Sequence, residues 1–102
     1  MGSPWKAIAD PSRRQMLVML KSGEQTPTQI VTHFDFSLPA LSTHLKVLKD
    51  AGLVKERKEG QNRFYSLNRD GMSEMTEFFD LFWDDRLRSL KEYVENKEKK
   101  RK

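Results

Sequence analysis

A chain of 102 residues has room for one hydrophobic core of modest size. Hydrophobic residues make up 36% and charged residues 33%, and 19 Lys and Arg against 15 Asp and Glu leave a net charge of +4. That balance permits a globular fold, favours burial through oligomerisation and points to a polyanionic partner, while the absence of cysteine excludes disulfides, thiolate metal sites and cysteine nucleophiles.

Met1, Gly2 and Ser3 are assigned to no element. Trp5, Ile8 and Ala9 form the apolar stripe of a short first helix that stops at Asp10-Pro11, where Asp10 is a good N-cap and Pro11 suits the first position of a second helix. In that second helix Met16, Leu17 and Leu20 recur at helical spacing with Val18 beside them, Ser12, Arg13 and Arg14 stay polar, and Ser22-Gly23 closes the element. Thr26, Pro27 and Gln29 make a capping box at the start of a third helix, whose apolar face is Ile30, Val31 and Phe34. After Asp35-Phe36, Ser37 caps a fourth helix in the stretch SLPALSTHLKVLKDAGLV. Leu41, Leu45 and Leu48 point one way, Pro39 is tolerated in the first turn, and Gly52 supplies a left-handed C-cap. Two helices joined by so short a turn have the layout of a helix-turn-helix.

From Leu53 the pattern changes. LVKERK and RFYSL are short strand-like runs on either side of Glu59, Gly60, Gln61 and Asn62, which predicts a β-hairpin with a polar, glycine-containing tip. Asn68 or Asp70 then caps a long last helix, in which Met75, Phe78, Phe79, Phe82, Trp83, Leu87, Leu90, Tyr93 and Val94 keep a three-four spacing. So wide an aromatic stripe at the end of a small domain needs more cover than the chain's own core supplies, which points to a partner subunit. KEKKRK is a charge run, so residues 4–95 form the domain and 96–102 a basic, fraying tail. No internal repeat is present, and no apolar run reaches the length of a membrane span or forms a signal-peptide core.

The resulting fold class is mainly α with a small β-hairpin: a winged helix-turn-helix of about five helices plus a two-stranded wing. Such a helix enters the major groove of double-stranded DNA amino end first, its leucine side held by the domain. Pro39, Ser42, Thr43 and Lys46 fall opposite the leucines, and with Ser37 and Leu38 at the leading end they are the candidate DNA readers. Ser42 and Thr43 can exchange hydrogen bonds with base edges, and Lys46 can reach a guanine or a phosphate. His44 joins the set at its edge, beside the leucine stripe, where a hydrogen bond to a neighbouring helix or a phosphate fits better than base contact or metal ligation. At the wing, Arg57, Lys58, Gln61, Asn62 and Arg63 suit phosphates or an adjacent minor groove. Solvation alone would also account for exposed polar residues on both elements.

Catalysis finds no support: no nucleophile and base pair, glycine-rich phosphate loop or metal triad can be assembled from the spacing. His33 and His44 are the only histidines, and Asp80, Asp84 and Asp85 alone would hold a hard cation weakly, so neither a metal nor a cofactor is expected. The rival reading is a winged-helix protein-interaction module that docks a partner through its aromatic last helix.

KAIADPSRRQML, SLPALSTHLKVLKDAGLV and RKEGQNRFYSL resemble, in order and spacing, the signature blocks of ArsR-type (ArsR/SmtB superfamily) repressors. The resemblance covers about residues 5 to 67, and FFDLFWDDRLRSLKEYVE is similar to a branch of that family without metal-sensing motifs. It implies a homodimer held by the first and last helices, with Trp5, Ile8, Met75, Phe78, Phe79, Phe82 and Trp83 at the interface. It further implies a repressor on a palindromic operator, in a prokaryotic cytoplasm and nucleoid-associated when bound, with the inducer unidentified. Two positions depart from the pattern: Leu38 stands where the family often has glutamine, and Thr43 where it often has arginine. The operator therefore cannot be borrowed from a relative.

Overall fold

Every one of the first four helices begins where a side chain can satisfy free backbone amides, and each carries proline in its first turn. The computed structural model describes residues 2–83 and 92–95. Helix α1 spans Pro4–Ala7 and is capped by Ser3, a residue that the sequence pattern assigned to no element. Asp10 accepts from the amides of Ser12 and Arg13 at 2.7 and 3.2 Å and starts α2, Pro11–Met19, which tightens into a 3-10 turn over Leu20–Ser22. The capping box of Thr26 and Gln29 is formed in both directions at the head of α3, Pro27–Val31. Ser37 caps α4, Leu38–Asp50, and Gly52 (φ 80°) ends it in the left-handed region that favours glycine.

Leu41, Leu45 and Leu48 of α4 are fully buried, together with Met16, Ile30 and Leu53. Each such side chain removed from water contributes roughly 1.5–3 kcal/mol, so α4 is held by one face and leaves the other free. Strand β1, Val54–Glu59, pairs antiparallel with β2, Asn62–Leu67, in the register Val54 to Leu67 through Glu59 to Asn62. The tip is shorter than the four-residue polar stretch expected. Glu59 and Asn62 belong to the ladder, and Gly60 (φ 61°) and Gln61 make a two-residue turn of the glycine-first kind that matches strand twist. Gln25 bridges to Tyr65 through two backbone hydrogen bonds of 2.9 and 2.8 Å, fastening the hairpin to the entrance of α3. Helix, turn, helix and wing are thus assembled around one core.

The last element departs from expectation. Neither Asn68 nor Asp70 caps it: the Asn68 amide donates to the Gly52 carbonyl at 2.9 Å, and Asp70 lies in a 3-10 turn over Asp70–Met72. Gly71 packs so close to the Gly52 carbonyl that a Cβ there would collide with it, which fixes glycine at that corner. Helix α5 spans Ser73–Asp80 and has no side-chain cap. The chain then tightens, with the amides of Leu81, Phe82 and Trp83 donating to carbonyls three residues back. The continuous helix that the apolar stripe predicts is therefore interrupted after Asp80. A helix draws most of its stability from a packed face, and α5 stops where contact with Trp5 stops: Phe78 and Phe79 meet its ring edge-on at 5.0 and 5.7 Å, whereas among the described residues Phe82 meets the ring of Phe78 alone. Residues 92–95 are helical. Leu87, Leu90 and the basic tail lie outside the described residues, and no described helix is long and apolar enough to cross a membrane.

Candidate nucleic-acid interface

The free side of α4 and one side of the hairpin face each other across a cleft of about 390 Å³. Ser42, Lys46, Lys49 and Asp50 line it from the helix, and Glu56, Lys58, Arg63 and Tyr65 from the hairpin. The strand register explains the second group, because alternate residues share a face and Glu56–Tyr65 and Lys58–Arg63 are directly opposed pairs. Two like charges opposed on a ladder destabilise a hairpin unless an anion relieves them. Lys58 has no ion-pair partner among the described residues, and Arg63 approaches the Glu56 carboxylate at 3.7 Å.

Ser42, Thr43 and Lys46 are exposed on α4, with Ser37, Leu38 and Pro39 exposed at its leading end. The Thr43 hydroxyl donates to the Pro39 carbonyl at 3.2 Å, so its oxygen keeps acceptor lone pairs for a further partner. Lys46 pairs with Asp50 at 3.2 Å, but with the lysine side chain 76% exposed this contact is weak and readily exchanged for a phosphate.

His44 is half-buried, and its ring lies 5.2 Å from that of Phe36, which stacks on Phe34. Arg13 Nη1 lies 3.3 Å from His44 Nδ1, within hydrogen-bond reach. The same guanidinium donates to the carbonyls of Ala7 at 2.7 Å and Lys6 at 3.3 Å. Arg13 therefore ties α1 and α2 to α4, a role that its place on a polar helix face did not reveal. A hydrogen-bonding contact from His44 to the neighbouring helix is thus present.

Arg57 lies on the opposite side of the hairpin from the cleft. It donates to Glu24 at 2.6 and 3.3 Å and to Glu59 at 2.7 Å, and it lies over the Phe64 ring at 4.5 Å. These hydrogen bonds raise its pKa and, reciprocally, hold Glu24 below its ordinary value. It is thus paired with two carboxylates within the fold, whereas Lys58 has none among the described residues. Gln61 in the turn and Asn62 at the start of β2 are exposed.

Glu56 was no candidate in the sequence, and it sits at the centre of the cleft. The Tyr65 hydroxyl donates to it at 2.7 Å and Lys49 Nζ at 3.3 Å, and the carboxylate is 10% exposed. The Tyr65 hydrogen bond, followed by Lys49 and Arg63, holds its pKa below the ordinary value even though partial burial opposes this. Glu56 and Lys49 are seven residues apart on different elements, so no local pattern could have paired them.

Of the apolar residues expected at a subunit interface, Met75 is buried in the core, and Trp5 and Ile8 are half-buried against it. Phe78, Phe79, Phe82 and Trp83 are exposed, Phe82 at 67%. Among the described residues no group of three or more His, Cys, Asp or Glu side chains is arranged to hold a metal ion.

Comparison with known proteins adds independent findings. Residues 10–56 match the family described as bacterial regulatory protein, arsR family. The chain is 44% identical over 68 residues to the transcriptional repressor SdpR of Bacillus subtilis, covering 67% of this chain and 76% of that protein. A crystal structure of a possible transcriptional regulator for arsenical resistance superposes with a TM-score of 0.71 at 44% identity, over 83% of this chain and 88% of the other. The homodimeric winged helix-turn-helix DNA-binding domain of a possible ArsR-family regulator from Mycobacterium bovis, solved by NMR, gives a TM-score of 0.62 at 30% identity, over 74% and 70%.

Proposed function

The chain belongs to the bacterial regulatory proteins of the ArsR family, and from that premise we propose that it is a homodimeric, sequence-specific transcriptional repressor that binds operator DNA in the cleft between α4 and the hairpin. Family membership makes it a regulator of transcription and not an enzyme. The observation that carries the reading of the cleft is the opposition of Lys58 and Arg63 on the face turned toward α4. In this reading Ser42 and Thr43 meet base edges, with Lys46 beside them. Lys58, Arg63, the turn residue Gln61 and its neighbour Asn62 hold flanking phosphates and set the register.

Dimerisation through the first and last helices would cover Phe78, Phe79, Phe82 and Trp83 beside Trp5, an aromatic surface that the protomer leaves exposed. Two copies would then present their α4 helices about 34 Å apart, one turn of DNA. SdpR is a repressor and the Mycobacterium bovis domain a homodimer, which supports both parts of the reading.

The test is selection of bound duplexes from a random pool, followed by titration of the recovered sequence against salt. A palindromic consensus and a steep fall in affinity with salt are expected, and recovery of no consensus would overturn sequence-specific binding. Ser42→Ala and Thr43→Ala should each cost about 1 kcal/mol or more of preference for that sequence wherever a base contact is lost. Sedimentation at micromolar concentration should give twice the chain mass of 12.0 kDa, and a monomer would remove the dimer from the proposal.

A further inference from the structure

Glu56 is an anomaly in a cleft read as facing a polyanion. A carboxylate there repels phosphate, and yet the fold holds it charged and in place from three directions: Tyr65 and Arg63 on β2 and Lys49 on α4. Its contact with Lys49 is an ion pair between the reading helix and the wing in which the acid is largely shielded from water and the lysine only half exposed. A carboxylate in this position does two things at once. It fixes the spacing between helix and wing and steers Arg63, and it cancels charge that would otherwise attract any DNA regardless of sequence.

Resting on the reading of the cleft as the DNA-binding face, we propose that Glu56 is a positioning and specificity-determining residue that restrains sequence-independent binding. Non-specific affinity is almost wholly electrostatic, whereas specific affinity adds base contacts that Glu56 does not touch. One negative charge near the phosphate path therefore weakens binding to every duplex by a similar factor, and the difference between duplexes comes from positioning, which only a complex with base contacts to hold in register can use. The operator complex keeps its hydrogen bonds to bases, and it gains from an Arg63 and a wing already held in place. A corollary follows for Lys49: although it lines a basic cleft, its charge is already engaged by Glu56, so it contributes less to phosphate binding than Lys58 does.

The experiment uses the full chain, a mixed-sequence 30-base-pair duplex and a duplex recovered by selection, each titrated between 50 and 300 mM salt. Glu56→Gln keeps the shape of the side chain and its acceptor for Tyr65, and its thermal melt reports whether the fold survives. Expected is a gain of about fivefold in affinity for the mixed-sequence duplex, a salt dependence steeper by about 0.9 in log–log slope, and a smaller gain on the selected duplex, so that the ratio between the two falls. Glu56→Asp, which retains the charge, should restore the wild-type slope.

Equal gains on both duplexes, or no gain on mixed sequence, would overturn the proposal. Lys49→Gln and Lys58→Gln supply a test that does not depend on how Glu56→Gln folds. Lys58→Gln should flatten the slope by about 0.9 and Lys49→Gln by clearly less, and equal flattening would also overturn it. Failure of the wild-type protein to bind either duplex would instead overturn the underlying reading of the cleft, a result distinguishable from all of these.

Discussion

The two sides of the hairpin are built from the same residue types and use them in opposite ways. On the outer side Arg57, itself half exposed, is paired with Glu24 and Glu59 and lies over the Phe64 ring, so the fold itself offers its charge two carboxylates. On the cleft side Lys58 and Arg63 oppose each other, with Glu56 within 3.7 Å of Arg63 as the only acid paired to either among the described residues. Charge that a fold compensates serves stability, and charge that it leaves opposed to its own kind is held for a partner. A basic residue count could not make that distinction.

The largest effect should come from the residue on which both sides of the hairpin lean. Tyr65 is buried, its backbone pairs with Gln25 as well as with β1, and its hydroxyl holds Glu56. Tyr65→Ala should destabilise the protein by about 3 kcal/mol or more, since it empties a packed aromatic site and takes from the half-buried Glu56 carboxylate its closest donor. Urea unfolding checks this. A loss below about 1 kcal/mol would mean that the hairpin is held without its cleft side.

Smaller and more discriminating is the contrast among the basic residues. Lys58→Ala and Arg63→Ala should each lower affinity for all duplexes alike, Lys58→Ala flattening the log–log salt dependence by about 0.9 and Arg63→Ala, whose charge Glu56 partly engages, by somewhat less. Arg57→Ala should leave that slope unchanged and shift affinity by less than about twofold, since its charge is already compensated by two carboxylates. If Arg57→Ala flattened the slope as Arg63→Ala does, the division between the two sides would be wrong.

How much of this was legible in the sequence divides by distance along the chain. The caps of α2, α3 and α4, the buried leucines and the left-handed Gly52 are local signals, each carried within about one helical turn, and each stands in the structure as read. The exposed face of α4 followed from the same periodicity. What could not be read depends on contacts between elements: Arg13 with His44 across 31 positions, Arg57 with Glu24 across 33, and Lys49 with Glu56. The opposition of Lys58 to Arg63 was within reach, because a two-residue turn at Gly60-Gln61 fixes the register, but taking the tip as four residues hid it. The long last helix differs for a further reason: periodicity records that an apolar stripe exists and not what covers it, and among the described residues the ring contacts of Trp5 end at Phe79.

The smallest effect concerns acid, where the two sides of the hairpin should behave alike. Glu24 is held below its ordinary pKa first by its hydrogen bond to Arg57, and Glu56 first by its hydrogen bond from Tyr65. A carboxyl whose folded pKa is lowered binds its proton more readily in the unfolded chain, so its contribution to stability is complete above the ordinary value of 4.5 and disappears as pH falls through the lowered one. Thermal melts between pH 7 and 3 should therefore show Glu24→Gln and Glu56→Gln each less stable than wild type at pH 7, with the difference narrowing below pH 4.5. DNA affinity at pH 7 should separate the two substitutions, rising in Glu56→Gln and unchanged in Glu24→Gln, because only Glu56 lies in the cleft. An acid limb that flattened in one variant alone would locate the stabilising charge on a single side of the hairpin, whereas a rise in affinity with Glu24→Gln would mean that an Arg57 released from its carboxylate can reach the DNA.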